Sequence, residues 1–270
     1  MNSECFRLRW LNDACYEIRL ASGKGILIDP YIDESPYRVL SYEDVERADY
    51  VLISHTHFDH VLGLGKIQER FDSQVFAGRM AGIELAKQYD VPGYRMNLCA
   101  AGDRIVTEDF ILDCYRGKHT KIGEIDRPSR WPENVSKEGL APESAELNLL
   151  GSYEYMIYRL TLPNHMRILI WGGAATEDAI RQAAQYEPDF TIAQLPREKP
   201  EQVARLYAAI GGQAIFPHHH DYFIARGEEG MRVIRETGEK LQALTDSTRL
   251  VCPEKGKWYQ IRTSIELEKE

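Results

Sequence analysis

The stretch Ser54-His55-Thr56-His57-Phe58-Asp59-His60 packs three imidazoles and a carboxylate into six consecutive positions after the serine. It follows Asp49-Tyr50-Val51-Leu52-Ile53-Ser54, an apolar run that reads as a buried strand. It precedes Val61 to Phe71, where apolar residues recur about every three and four positions, as an amphipathic helix requires. The cluster therefore sits at a strand-to-helix junction. Alternation along extended backbone projects His55 and His57 the same way, and a turn then brings Asp59 and His60 round to face them. Imidazole nitrogen and carboxylate oxygen are the donors that zinc and its first-row neighbours accept. A solvated histidine-rich loop is the competing reading, and this spacing at a strand end weighs against it.

The rest of the chain supplies a layered scaffold. Phe6 to Leu11, Cys15 to Leu20 and Gly25 to Asp29 are short apolar runs separated by Asn12-Asp13 and Ser22-Gly23, which predicts an antiparallel meander. Further strands are expected at 74–78, 104–107, 110–117, 153–162 and 167–173, and in the runs FTIAQL and AIFP. Helices are expected at Thr176 to Tyr186, Pro200 to Ile210 and Glu228 to Leu244. Residues 118–150, with Pro128, Pro132 and Pro142, read as an irregular excursion, a length usually kept for lids, binding loops or interfaces. With 270 residues, 43% of them hydrophobic, the chain can bury a sizeable core as one domain over 1–270.

His55-x-His57-x-Asp59-His60 resembles the HxHxDH signature of the metallo-β-lactamase superfamily. The resemblance extends to Ile26-Leu27-Ile28-Asp29-Pro30 upstream and to the downstream histidines. It is nearest to the branch of L-ascorbate-6-phosphate lactonase-like hydrolases, through Lys118-His119-Thr120-Lys121 and Pro217-His218-His219-His220-Asp221-Tyr222-Phe223. The fold it implies is α/β, an αββα sandwich of two mixed β-sheets flanked by helices. It implies that His55, His57 and His119 hold one metal ion, and that Asp59, His60 and His219 surround a second. His219 is preferred to His218 and His220 because the family pattern is proline, any residue, histidine. Asp59 and His219 double as catalytic candidates. His165, between two expected strands, reads as a turn residue.

One position departs from the pattern. The family carries the metal-bridging aspartate after a strand ending in glycine; here the stretch is Ile168-Leu169-Ile170-Trp171-Gly172-Gly173, and Gly173 stands in its place. Without that carboxylate two dications at close range are less favourable. Three outcomes stay open: one ion on His55, His57 and His119, one on a mixed set, or two with a substitute acid from Glu177 or Asp178. One firmly held ion is expected first and a weakly occupied second site next. An aspartate restored at 173 is expected to raise the stoichiometry towards two.

Three histidines leave a tetrahedral ion open to water, whose pKa can fall from 15.7 to about 7. The expected activity is hydrolysis of an ester, lactone or phosphoester of a small, anionic substrate, with Zn2+ as the ion and Mn2+ or Fe2+ as alternatives. With the second ion absent, Asp59 is the expected general base, and Asp29 and Asp221 are the expected hydrogen-bond partners of the ligating imidazoles. Arg116, Lys118, Lys121, Arg127 and Arg130 are candidates for pairing with a substrate anion, against the competing reading of a solvated loop neutralised by Glu124, Asp126 and Glu133, and Trp131 is a candidate for covering the pocket or packing at a subunit contact.

A metal-binding sensor without turnover is the rival. A nuclease on the same fold, which normally carries an inserted domain, is disfavoured by length and by the net charge of −9. An iron redox enzyme is disfavoured by Gly173. The acidic balance argues against nucleic acid or an anionic membrane as partner, and a homo-oligomer is compatible with the sequence. Five scattered cysteines, no apolar leader and no run of eighteen apolar residues point to a cytoplasmic protein.

Overall fold

The structure, a computed structural model, describes residues 6–119, 142–197 and 199–262. The expected meander is present as β1 (Phe6–Asn12), β2 (Cys15–Arg19) and β3 (Gly25–Ile28), followed by β4 (Tyr50–Leu52). The chain then forms α1 (Phe58–Val61), α2 (Leu64–Phe71), β5 (Gln74–Gly78), α3 (Arg79–Gln88) and β6 (Met96–Cys99). The second half has β7 (Arg104–Val106), β8 (Ile111–Arg116), α4 (Pro142–Tyr153), β9 (Met156–Thr161), β10 (Arg167–Trp171), α5 (Glu177–Ala183) and β11 (Phe190–Gln194). It closes with α6 (Pro200–Ile210), β12 (Ala214–His218), α7 (Asp221–Ala225), α8 (Gly227–Leu244), β13 (Arg249–Leu250) and β14 (Tyr259–Ile261).

Two seven-stranded sheets result among the described residues, in the orders β14-β1-β2-β3-β4-β5-β6 and β13-β12-β11-β10-β9-β8-β7. Each joins an antiparallel meander to a parallel run: β3 through β6 in one, β10 through β13 in the other. The fold is the metallo-β-lactamase αββα sandwich. Residue alternation explains the layers. In β3, Ile26 and Ile28 join the core between the sheets, with Tyr158, Ile170 and Phe216 opposite, while Leu27 packs outward against the α2 and α3 side chains Leu64, Ile67 and Leu85. On the other outer face Leu169, Ala193 and Ile215 lie under Val203, Leu206 and Leu241 from α6 and α8.

Three expectations need correction. The helix predicted to follow the cluster begins inside it, at Phe58, and is broken at Gly63, where a Cβ would lie 2.2 Å from the Tyr42 ring. The segment 118–150 is not irregular throughout: from Pro142 it is α4, with Leu147 buried in the core, and its proline content masked that helix. The helix α3 and strand β6 were not foreseen, because Arg79–Gln88 alternates charge with small residues and β6 lies at a sheet edge with its side chains only partly covered. Lys121, Arg127, Arg130 and Trp131 lie outside the described residues.

Candidate metal centre

The site lies where the parallel strands β3, β4 and β12 end, the end of a strand run at which α/β sheets receive ligands. Asp29 follows β3, the cluster follows β4, His119 follows β8, and His219 follows β12. These segments converge on two groups of potential ligands, His55 with His57 and His119, and Asp59 with His60 and His219. In each group the donor atoms lie within 4.8 Å of one another. The six residues singled out from the sequence are thus brought together.

Hydrogen bonding identifies the ring nitrogen that each imidazole leaves over. Ser54 Oγ donates to Asp29 Oδ2 at 2.7 Å, so at 3.1 Å from His55 Nδ1 it accepts. His55 is thereby protonated at Nδ1, and its buried Nε2 has no hydrogen-bond partner. Ser152 Oγ donates to Asn148 O at 3.0 Å and accepts from His57 Nε2 at 2.9 Å, which leaves the His57 Nδ1 lone pair. His60 donates through Nδ1 to Asp29 Oδ2 at 2.8 Å, and His219 through Nδ1 to Asp13 Oδ1. Their remaining nitrogens face each other, His60 Nε2 3.2 Å from His219 Nε2. A proton or a cation must stand between two such lone pairs. An orphaned buried nitrogen and a pair of opposed ones are what a metal site requires of its ligands, so these residues fit the ion.

The flanking histidines separate clearly. His218 donates from Nε2 to the Trp171 carbonyl at 2.9 Å, and His220 is fully buried with its ring centroid 3.9 Å from that of Trp10. His165 is exposed in the turn between β9 and β10. The substitute acids lie elsewhere: Glu177 pairs with Arg205 at 2.7 Å, and Asp178 with Arg181 on the same helix face. Asp29 has the role expected of it. Asp221 does not hold an imidazole directly; its Oδ2 accepts from the Asp13 backbone N–H at 3.0 Å, and the carboxylate at the His219 ring belongs to Asp13. Asp13 was missed as a turn residue of the β1–β2 hairpin. Its left-handed φ of 46° was the kind of conformation the Asn12-Asp13 turn signal implied, yet nothing in the sequence placed that turn against β12.

Helix α4 locks the histidine loop in place. Thr56 Oγ1 donates to Leu147 O at 2.7 Å, and the Phe58 N–H to Asn148 Oδ1 at 2.9 Å. Gly151 permits the approach, since a Cβ there would lie 2.8 Å from the Thr56 nitrogen. Tyr155 stacks on His55 with centroids 4.5 Å apart, and its hydroxyl fills the space that a side chain at Gly172 would need. Gly173 has φ of 115° and pairs with Lys118; a Cβ would meet the Lys118 carbonyl oxygen at 2.1 Å.

Burial, reinforced by neighbouring imidazoles, holds His55 and His218 well below the ordinary histidine value, and lowers His57 and His220 to about 3. These rings are neutral, which leaves His55 and His57 able to ligate. Burial works against charge on Asp59 too, but the His60, His219, His57 and His119 rings prevail and hold its carboxyl below the usual range. For His219 burial is outweighed by Asp13, Asp59 and Asp221, which raise it to about 9. Burial and Asp13 raise Asp221 to about 6.

A stability profile of the metal-free protein follows. The unfolded chain protonates His55, His57, His218 and His220 near pH 6.5, whereas the fold does not until far lower, so their stability is present above about 6.5 and lost as pH falls. His219 contributes in the opposite sense, its stability present below about 6.5 and lost as pH rises through about 9. Asp221 opposes the four on the acid side, its contribution being lost as pH rises through about 6. Four groups outweigh the two that oppose them. The unfolding temperature of chelator-treated protein is expected to fall between pH 7 and pH 5, with net proton uptake; a rise over that interval would contradict the neutral rings.

A sequence model of the metallo-beta-lactamase superfamily matches residues 8–133. A UPF0173 metal-dependent hydrolase of Enterococcus faecalis is 34% identical over 187 residues, 66% of this chain and 81% of that protein. One from Solibacter usitatus is 34% identical over 70 residues, 26% of this chain, and this match spans only 30% of that relative's length. Among solved structures, Igni18, described as a novel metallo hydrolase from Ignicoccus hospitalis, superposes with a TM-score of 0.69 at 13% identity. The superposition covers 96% of this chain and all of that one.

Proposed function

The chain belongs to the metallo-β-lactamase superfamily, and from that premise we propose that it is a metal-dependent hydrolase acting on an ester, lactone or phosphoester of a small, anionic substrate. The observation that carries the reading is the convergence of five imidazoles and a carboxylate in two ligand-sized groups, with the buried Nε2 of His55 lacking any hydrogen-bond partner. The expected ion is zinc, held by His55, His57 and His119 and by Asp59, His60 and His219. When bound, such an ion acidifies water to near neutral pKa and polarises the substrate oxygen.

The protein's own groups supply the rest. Asp59 is ionised and its side chain is 26% exposed, the most open of the carboxylates at the site, so it would be available to hold an ion or to accept a proton from water. His219 is held in the charged form near neutral pH by Asp13, Asp59 and Asp221, and would have to give up a proton to hold an ion, while Asp13 keeps its ring oriented. Arg116 and Lys118, exposed just before His119, offer cations to a substrate carboxylate or phosphate. Within the class we favour a lactonase-like activity, on the stretches around His119 and His219. Gly173 takes the place of the bridging aspartate, so the two ions share less negative charge than that pattern provides.

The test is metal analysis of protein purified without chelator, followed by assay of the loaded protein on esters, lactones and phosphodiesters. Turnover that disappears with chelator and returns with zinc is expected. Tight metal binding with no turnover of any class would overturn the hydrolase reading in favour of a sensor.

A further inference from the structure

Resting on this metal-hydrolase reading, we propose that the two ligand sets are unequal, with Asp59, His60 and His219 taking the first ion and His55, His57 and His119 the second. This reverses the preference that a three-histidine set would suggest. The difference lies behind the ligands. His60 and His219 each donate from Nδ1 to a carboxylate, Asp29 at 2.8 Å and Asp13. Each such pair makes the opposite nitrogen a stronger donor and places negative charge one imidazole away from the ion. His55 and His57 donate instead to the hydroxyls of Ser54 and Ser152, so the Asp29 charge stands behind His55 only at one remove, through Ser54, and Ser152 passes its own proton to the neutral Asn148 carbonyl.

The ligands themselves point the same way. Asp59 belongs to the set with His60 and His219, whereas the set of His55, His57 and His119 contains no carboxylate. Asp221 adds a further carboxylate behind Asp13, and Lys255, 3.7 Å from Asp221, offsets one charge without cancelling the set. Bringing a dication to the carboxylate-backed set neutralises charge already buried there. Bringing it to the three-histidine set places it on ligands none of which is itself a carboxylate. Preorganisation agrees, because His60 Nε2 and His219 Nε2 already stand 3.2 Å apart, sharing the place a cation would take.

The proposal is tested on full-length protein stripped of metal and labelled with 15N-histidine, titrated with zinc and followed by long-range 1H–15N spectra of the imidazoles. Below one equivalent, the resonances of His60 and His219 are expected to change while those of His55, His57 and His119 persist. Asp13→Asn keeps an acceptor for His219 and suits the left-handed backbone at φ of 46°, yet removes the charge. It is expected to weaken the first binding step about 10- to 100-fold and leave the second nearly unchanged. Ser152→Ala is expected to do the converse, with Ser152→Thr restoring the second step. Thermal unfolding of the metal-free variants checks that each still folds.

If the first equivalent instead shifts His55, His57 and His119, or if Asp13→Asn weakens only the second step, the order is wrong while the hydrolase reading stands. If zinc perturbs neither set, both fall.

Discussion

Replacement of His55 by alanine is expected to abolish turnover and remove at least one metal ion per chain. The ring is 4% exposed, stacked on Tyr155, and within 4.0 to 5.0 Å, centroid to centroid, of His60, His57 and His119. It therefore adjoins both ligand sets, and no neighbouring side chain can substitute for its unpartnered Nε2. A fall in kcat/KM of roughly 10³-fold or more is expected, equivalent to about 4 kcal/mol of transition-state stabilisation. Elemental analysis and assay of the variant check this. His165→Ala serves as the control, because that ring is exposed in a turn, and it should leave both measurements unchanged. Full activity in the His55 variant would remove the ligand assignment.

Gly173→Asp is expected to destabilise the protein without adding a metal ion. By pattern alone an aspartate at this position completes a bridge. The backbone forbids it, since φ is 115° and a Cβ would sit 2.1 Å from the Lys118 carbonyl oxygen. Left-handed backbone costs a non-glycine residue about 1–2 kcal/mol, and overpacking about 1–3 kcal/mol more. For a chain of this size that corresponds to an unfolding temperature lower by roughly 5–15 °C. Relief of the contact would push the Lys118 strand, and with it His119, away from β10. Calorimetry with metal counting decides; a stable variant that binds an extra ion would show that the strand can accept the side chain.

Local patterns revealed the cluster and most strands, because period-two burial and turn residues act within a few positions. Gln74–Gly78 and Pro200–Ile210 were read to the residue. The choice of His219 over its neighbours needed family resemblance, and the structure gives the physical reason: His218 turns to the Trp171 carbonyl and His220 packs on Trp10. What escaped was contact between distant segments. Asp13 meets His219 across the sandwich, and Ser152 reaches His57 from a helix whose proline-marked start read as loop. No pattern in a single chain encodes such pairings, since each partner is ordinary in its own surroundings. The Gly172-Gly173 pair was visible only as a missing acid; its positive role, admitting the Tyr155 hydroxyl and the Lys118 carbonyl, emerged from packing.

The closure of the β1–β2 turn onto the end of β12 joins positions 208 apart through the Asp13–Asp221 hydrogen bond. During synthesis, at about 5–20 residues per second, His55 to His60 emerge many seconds before the residue that completes their cage. The nascent chain thus contains these four donors long before the last of the six ligand candidates is made. All six candidates therefore come together only once the last parallel strands dock on the first hairpin, so an intact site reports that the two sheets have closed on each other.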